Sequence, residues 1–271
     1  ANLKLPQPSM SARIHRKTPE RFLKKCVDVI KLGIGMPALF NDDIIIPAML
    51  HNTKVSIEDA FDYGIVGCVE PSVMGKWGGR HAGCLFNLVK CMELTLYNGT
   101  DPRTGYNLCP GDGDLTTFKS VEDLLNAFRK QVRYYVKQAV IKDNIIDTAY
   151  ENVTPTPFLS ALVDECIKRG KDLKQGGAIY DCTAISTGGI ATIANSCAAI
   201  AKVVLEDKTI TAQQLRHALE TNFEDMNTKP AGEQIWRILR NAPKYGNDVP
   251  FVDLIAKEVA YVFMTEVPKY K

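Results

Sequence analysis

Several things are missing from these 271 residues, and each absence removes a class of protein. No C-x-x-C pair occurs among the eight cysteines, Cys26, Cys68, Cys84, Cys91, Cys109, Cys166, Cys182 and Cys197. The four histidines, His15, His51, His81 and His217, do not join them at ligand spacing. The pattern predicts no metal site and no disulfide framework, only small thiols in a reducing, cytoplasmic setting. No apolar run reaches the roughly eighteen residues of a membrane span, and the first residues carry no signal-peptide pattern. "ANLKLPQPS" reads instead as the middle of a protein. Charge of one sign is also missing. The balance of 33 Lys and Arg against 31 Asp and Glu leaves +2, which gives no bulk attraction to nucleic acid or membrane. The basic cluster "RIHRKTPERFLKK" reads as a solvated helix face. There is no low-complexity tract and no internal repeat.

What is present is a globular composition, 45% hydrophobic and 24% charged, long enough for one large core or two smaller ones. Thr18-Pro19-Glu20 predicts a helix capped by Thr18 and running to about Lys31. Ile44–Ile46, closed by Pro47, reads as a short buried strand. Ser56 caps a short helix ended by Gly64, and the apolar "IVG" leads to Cys68. A helix is expected over 83–98, then an irregular stretch. A clear amphipathic helix follows from Ser120 over "SVEDLLNAFRKQVRYYVKQAV", and another from Thr156. "GGAIYDCTAISTGGIATIANS" predicts a strand, a loop and a small-residue helix to about Glu206. Further helices are expected over 211–222, 233–240 and 250–267. Short apolar strands among many helices indicate a parallel α/β architecture with an enlarged helical shell.

The chemistry centres on "GCVEP", residues 67–71. In extended or looping backbone, positions two apart point to the same side, so Cys68 and Glu70 are expected to face one pocket, a thiol beside a proton acceptor. A C-x-E triplet also arises by chance, and a buried thiol beside a surface carboxylate is the plain alternative. A cysteine hydrolase needs a histidine base, and only His81 is placed to be one. "GKWGGRHAG" offers backbone amides, Lys76 and Arg80 to an anion, but lacks P-loop spacing. "STGGIA" puts glycines at a helix start, for a carboxylate or for close packing.

Six stretches, in order, go further: "LKLPQPSMSARIHRKTPERFL", "GMPALFNDDIIIPAML", "VSIEDAFDYGIVGCVEPSVMGK", "PTPFLSALVDECIKRGKDL", "IANSCAAIAKVV" and "NAPKYGNDVPFVD". Together they resemble, end to end, the catalytic core of the glycyl radical enzymes. The nearest branch is the pyruvate formate-lyase-like one, with its diol and hydroxyproline dehydratases, choline lyases and arylacetate decarboxylases. The resemblance implies an α/β fold, part of a ten-stranded α/β barrel with a large helical shell. Residues 1–271 would then be a partial catalytic domain, without the N-terminal part of the barrel or the C-terminal glycine radical domain. It also implies a small-molecule substrate, a homodimer, and a separate S-adenosylmethionine iron–sulfur activating enzyme. That enzyme installs the radical on a glycine outside this segment, which itself binds no cofactor. Cys68 matches the thiyl position and Glu70 the base two residues on.

Two departures shape the expectation. Pyruvate formate-lyases carry two adjacent cysteines, whereas Cys68 lies between Gly67 and Val69, which argues against pyruvate cleavage. Many diol dehydratases of the branch have an acid after the histidine of the post-cysteine loop, where this chain has Ala82 after His81. A glycerol- or propanediol-type substrate therefore becomes less favoured, and Arg80 and His81, the candidate substrate-binding residues, with "ISTGG" would suit a carboxylate-bearing one at least as well. The family's R-V-x-G-aromatic radical motif does not occur, and the last glycine is Gly246. The expected activity is radical elimination of water from a small polar substrate. Decarboxylation or another C–C cleavage, or a structural segment without catalysis, are the alternatives.

Overall fold

The computed structural model describes residues 8–270. Along the chain run β1 (Ser11–Ile14), α1 (Glu20–Val29), β2 (Ala38–Asn41), α2 (Asp42–Thr53), α3 (Ile57–Phe61), β3 (Gly64–Val66) and β4 (Glu70–Ser72). Next come β5 (Cys84–Asn87), α4 (Leu88–Leu96), α5 (Val121–Val153), α6 (Pro157–Ser160), α7 (Cys166–Arg169) and β6 (Ile185–Gly188). The remainder is helical: α8 (Ile190–Ala199), α9 (Ala212–Glu220), α10 (Gly232–Arg240) and α11 (Pro250–Glu266). The fold is mixed α/β with helices in the majority. Among the described residues the strands form three two-stranded pairs, β1 parallel to β2, β3 antiparallel to β4, and β5 with β6. A ten-stranded barrel is not seen in them. No helix among these residues is long and apolar enough to cross a membrane.

Two compact units divide the chain, one made of residues up to Cys84 with Ile145–Ser186, the other of Leu85–Asn144 with Thr187 onward. In the first unit, Ile46, Met49, Val55, Ala60, Tyr63 and Val73 form a buried cluster under the β3–β4 hairpin. Arg13 of β1 ties this region together. It makes two 2.9 Å bonds to the Asp42 carboxylate at the start of α2, and donates to the Phe61 and Tyr63 carbonyls before β3. Its guanidinium lies 4.0 Å from the Tyr63 ring centre, and Tyr63 donates its hydroxyl to Asp42. A bidentate, stacked arginine of this kind is held more rigidly than an exposed ion pair, and it fixes where the hairpin starts.

Gly78 and Gly79 of "GKWGGRHAG" prove to be packing glycines. Backbone bonds strap the loop to residues 180–184: Tyr180 donates to the Lys76 carbonyl, Gly78 to the Tyr180 carbonyl, and Ala184 to the Arg80 carbonyl. A Cβ on Gly79 would stand 1.9 Å from the Cys182 carbonyl oxygen and 2.2 Å from its carbon. These are backbone atoms in a doubly bonded strap and have nowhere to go. Gly79→Ala is therefore expected to cost at least the ~1–3 kcal/mol of an overpacked core site. A urea midpoint that matches the native one would show that the strap can part.

In the second unit, Leu124, Phe128, Val132 and Val136 of α5 repeat every four residues and are fully buried. Each contributes roughly 1.5–3 kcal/mol by leaving water. α8 packs its buried Ile193, Ala194 and Cys197 in a unit that also buries Val252, Ile255 and Val259 of α11. Gly189, at φ +104°, precedes α8, and a Cβ there would lie 2.5 Å from Val89 Cγ2. Its left-handed backbone and close approach to Val89 account for this glycine of "STGGIA".

Four sequence expectations need correction. Ile44–Ile46 is helical: it lies in α2, capped by the Asn41 side chain on the Asp43 amide, with Pro47 inside the helix. The stretch from Cys84 to Asn87 is strand, and the helix begins only after Asn87, whose side chain accepts from the Lys90 amide. The segment after Thr156 breaks into α6 and α7, since Asp172 draws the Thr156 amide and the Ser160 hydroxyl to itself. Thr18 also differs from its expected role. Its hydroxyl accepts from the His15 amide, and the helix starts at Glu20. By contrast Ser56, Ser120 and Thr211 each accept an amide at the head of a helix, as their spacing predicts.

Candidate active site

β3 and β4 pair in the register Gly64↔Ser72, Ile65↔Pro71 and Val66↔Glu70, which leaves Gly67, Cys68 and Val69 as a three-residue turn. Cys68 sits at the tip and is exposed. Gly67 opens the turn in the left-handed region, φ +59°, where a residue without Cβ is unstrained. A Cβ there would also stand 2.9 Å from Glu70 Oε2. This oxygen is already in use. The amides of Cys68 and Val69 both donate to it, at 3.0 and 2.9 Å.

Cys68 and Glu70 are thus brought together, but not by the alternation of an extended strand. The chain reverses between them, and the carboxylate folds back over the cysteine's own amide. Among the described residues the second carboxylate oxygen, Oε1, accepts no hydrogen bond.

His81 approaches this site from the strapped loop. Its ring stacks on Trp77, centroids 5.7 Å apart and planes 30° from parallel. The indole is fixed in turn by its 3.0 Å bond to the Cys182 carbonyl. His81 Nε2 is buried and has no hydrogen-bond partner among the described residues. Burial pushes the imidazole below the usual histidine range, the Glu70 charge pulls it partly back, and Lys174 pushes it down again. Lys174 itself donates to the Gly78 carbonyl at 2.7 Å, and burial lowers its pKa too. A site that disfavours the imidazolium keeps His81 neutral at pH 7.

The sign of the resulting pH effect is fixed. The unfolded chain binds the His81 proton more readily, so stability is fully present above about pH 6.5 and falls as pH drops below it. His81→Asn is expected to flatten that part of the curve. Urea midpoints at pH 7.5 and 5.5 check it: a loss on acidification as large in the variant as in the native chain would assign the slope elsewhere.

Arg80 is positioned differently from its neighbour. Its Nε bonds Asp147 Oδ1 at 2.9 Å, and its guanidinium lies 5.4 Å from the Tyr150 ring centre, both residues on the last turns of α5. Lys76 pairs with Asp59 at 2.6 Å. The anion cradle suggested by "GKWGGRHAG" is therefore taken up by the protein itself. Trp77, Lys174 and Asp147 are the supporting residues that sequence reading missed. Trp77 carried a signal, as a lone indole among glycines, whereas the two others lie 67 to 96 residues from the groups they touch. No group of three or more potential metal ligands occurs among the described residues.

With this geometry in hand, likeness to known proteins is informative. The family model for pyruvate formate lyase-like proteins matches residues 1–271. The probable dehydratase YbiW of Escherichia coli is 37% identical over 273 residues, 99% of this chain and 33% of that protein. Trans-4-hydroxy-L-proline dehydratase of Clostridioides difficile is 36% identical over 266 residues, 98% of this chain and 33% of that one. Among solved structures, the glycerol-bound B12-independent glycerol dehydratase of Clostridium butyricum superposes with a TM-score of 0.82 at 41% identity, over 99% of this chain and 33% of the other. The chain thus spans about a third of the length of these relatives. Matched along its whole length by the family and to its relatives by both sequence and structure, the chain belongs to the pyruvate formate lyase-like family of glycyl radical enzymes.

Proposed function

We propose that this chain carries the hydrogen-abstracting and proton-accepting groups of a radical dehydratase. One observation supports this above the rest: an exposed thiol at a hairpin tip whose own amide is bound by a carboxylate with one oxygen left over. In the reading offered here, Cys68 gives its hydrogen atom to a glycine radical and, as the thiyl, takes one from a substrate carbon bearing a hydroxyl. Glu70 accepts the proton of that hydroxyl and hands it to the departing oxygen as the neighbouring C–O bond breaks, so that this oxygen leaves as water. The product radical then recovers its hydrogen atom from Cys68. Removing the hydroxyl proton makes the adjacent carbon radical a far better electron donor to the breaking bond, which is why the two groups belong side by side.

His81 is the substrate-side group of its loop in this proposal, and its buried Nε2 has no partner among the described residues. Arg80 serves from the same loop by anchoring it to Asp147. With Arg80 so engaged and His81 neutral, the loop presents hydrogen bonds more than charge, which favours a hydroxyl over a carboxylate at this wall. The proposal also carries the family's wider apparatus: a ten-stranded barrel around the hairpin, a homodimer, a cytoplasmic setting, an activating enzyme, and a glycine in a motif these 271 residues do not contain. The substrate in this proposal is a small hydroxylated molecule. Mass analysis of products from the activated, anaerobic enzyme tests the reaction class. A product short of one water and retaining every carbon is expected; carbon dioxide or a shortened skeleton would replace elimination by C–C cleavage.

A further inference from the structure

This inference rests on the assignment of Glu70 as the base, and adds a second task to it. The two carboxylate oxygens are divided. Oε2 accepts the amides of Cys68 and Val69, while Oε1 accepts nothing among the described residues. An acceptor that serves two amides on an exposed three-residue turn restrains that turn beyond the pairing of its flanking strands. Val69 points to solvent at 53% exposure and Gly67 has no side chain. Bonds to a charged oxygen are the strong kind, roughly twice as strong as neutral ones.

We propose that Glu70 is the latch that sets the position of Cys68, and that its two tasks are coupled through one charge. While the carboxylate is ionised, Oε2 holds the turn and the sulfur stays in one place for hydrogen abstraction. When Oε1 accepts the substrate's proton, the negative charge on Oε2 is lost, both amide bonds weaken, and the turn loosens until that proton passes to the departing oxygen. This falls between the two sulfur steps, after Cys68 has taken a hydrogen atom and before it returns one. The sulfur is therefore tightly placed for the first transfer, released while the C–O bond breaks, and held again when it returns the hydrogen atom. His81, held below the usual histidine range by burial, stays neutral in this sequence and does not compete for the proton.

Amide hydrogen exchange at Cys68 and Val69 tests the latch without requiring activity. Glu70→Ala is expected to speed exchange at both amides roughly tenfold or more, the loss that goes with removing bonds to a charged acceptor. Glu70→Gln keeps a side-chain oxygen but not the charge, as protonation does, and is expected to fall in between, at about threefold. Gly67→Ala leaves the carboxylate intact but crowds Oε2, and should resemble Glu70→Ala. Native-like exchange in Glu70→Ala overturns the latch. Glu70→Gln indistinguishable from either neighbour overturns the graded coupling. In the radical-bearing enzyme, Glu70→Gln should still scramble deuterium between substrate and thiol, whereas Glu70→Ala should lose that exchange as well. Full turnover by Glu70→Gln would instead remove the base assignment while leaving the exchange result standing, so the two failures are distinguishable.

Discussion

Activated without oxygen, a Cys68→Ser enzyme is expected to hold its glycine radical and form no product. The substitution is minimal in every other respect. The side chain lies exposed at a turn tip, makes no hydrogen bond among the described residues, and keeps the amide that Glu70 binds. What changes is the bond that must break. A glycine-centred radical removes hydrogen from a weak S–H bond with little penalty, whereas an alcohol O–H is much stronger. A barrier raised by only about 5.5 kcal/mol already costs roughly 10⁴ in rate. Electron paramagnetic resonance should show the glycine signal undiminished while chromatography shows no turnover. Product above background from the serine variant would mean that sulfur is not the relay.

Glu70→Gln is expected to leave hydrogen abstraction possible and to slow elimination by roughly 10²–10⁴, the usual contribution of a positioned base. The glutamine oxygen can still accept an amide from the turn, so the loss falls on chemistry more than on placement. Substrate carrying deuterium at the abstracted position distinguishes the two. Washout into the thiol should persist while product formation drops. A loss below about threefold would return Glu70 to a purely structural role.

Both residues were singled out by the resemblance that "YGIVGCVEP" carries, since a C-x-E triplet alone is a weak signal, while the glycine before Cys68 marks the turn. Their mutual geometry was not legible. Alternation predicts neighbouring side chains in an extended chain, and here the register Val66↔Glu70 reverses the chain between them. Ile44–Ile46 was misread for a related reason. Three β-branched residues before a proline look like a closed strand, but the Asn41 cap and the acids Asp42 and Asp43 at a helix N-terminus outweigh them. The same signal, Asn87 within an apolar stretch, marked where β5 gives way to α4. "APKYGND" was recognisable without being interpretable. The structure shows Lys244 bonding the Leu239 and Ala242 carbonyls at the end of α10, and the Tyr245 amide bonding Asn195 of α8, so the motif closes one helix and moors it to another. Partnerships across long separations, such as Arg80 with Asp147, leave no local trace at all.

The distribution of thiols has a practical consequence. Five of the eight cysteines are buried, Cys84 and Cys182 are half-covered, and Cys68 alone is exposed. Burial also pushes the Cys182 thiol up, so less of it is present as the nucleophilic thiolate. A maleimide or nitroxide reagent added briefly to the untreated chain will therefore react first at Cys68. The protein arrives with a reporter attachment point at its own candidate reaction centre, and a spin label there would read out the motion of the turn with no cysteine removed elsewhere.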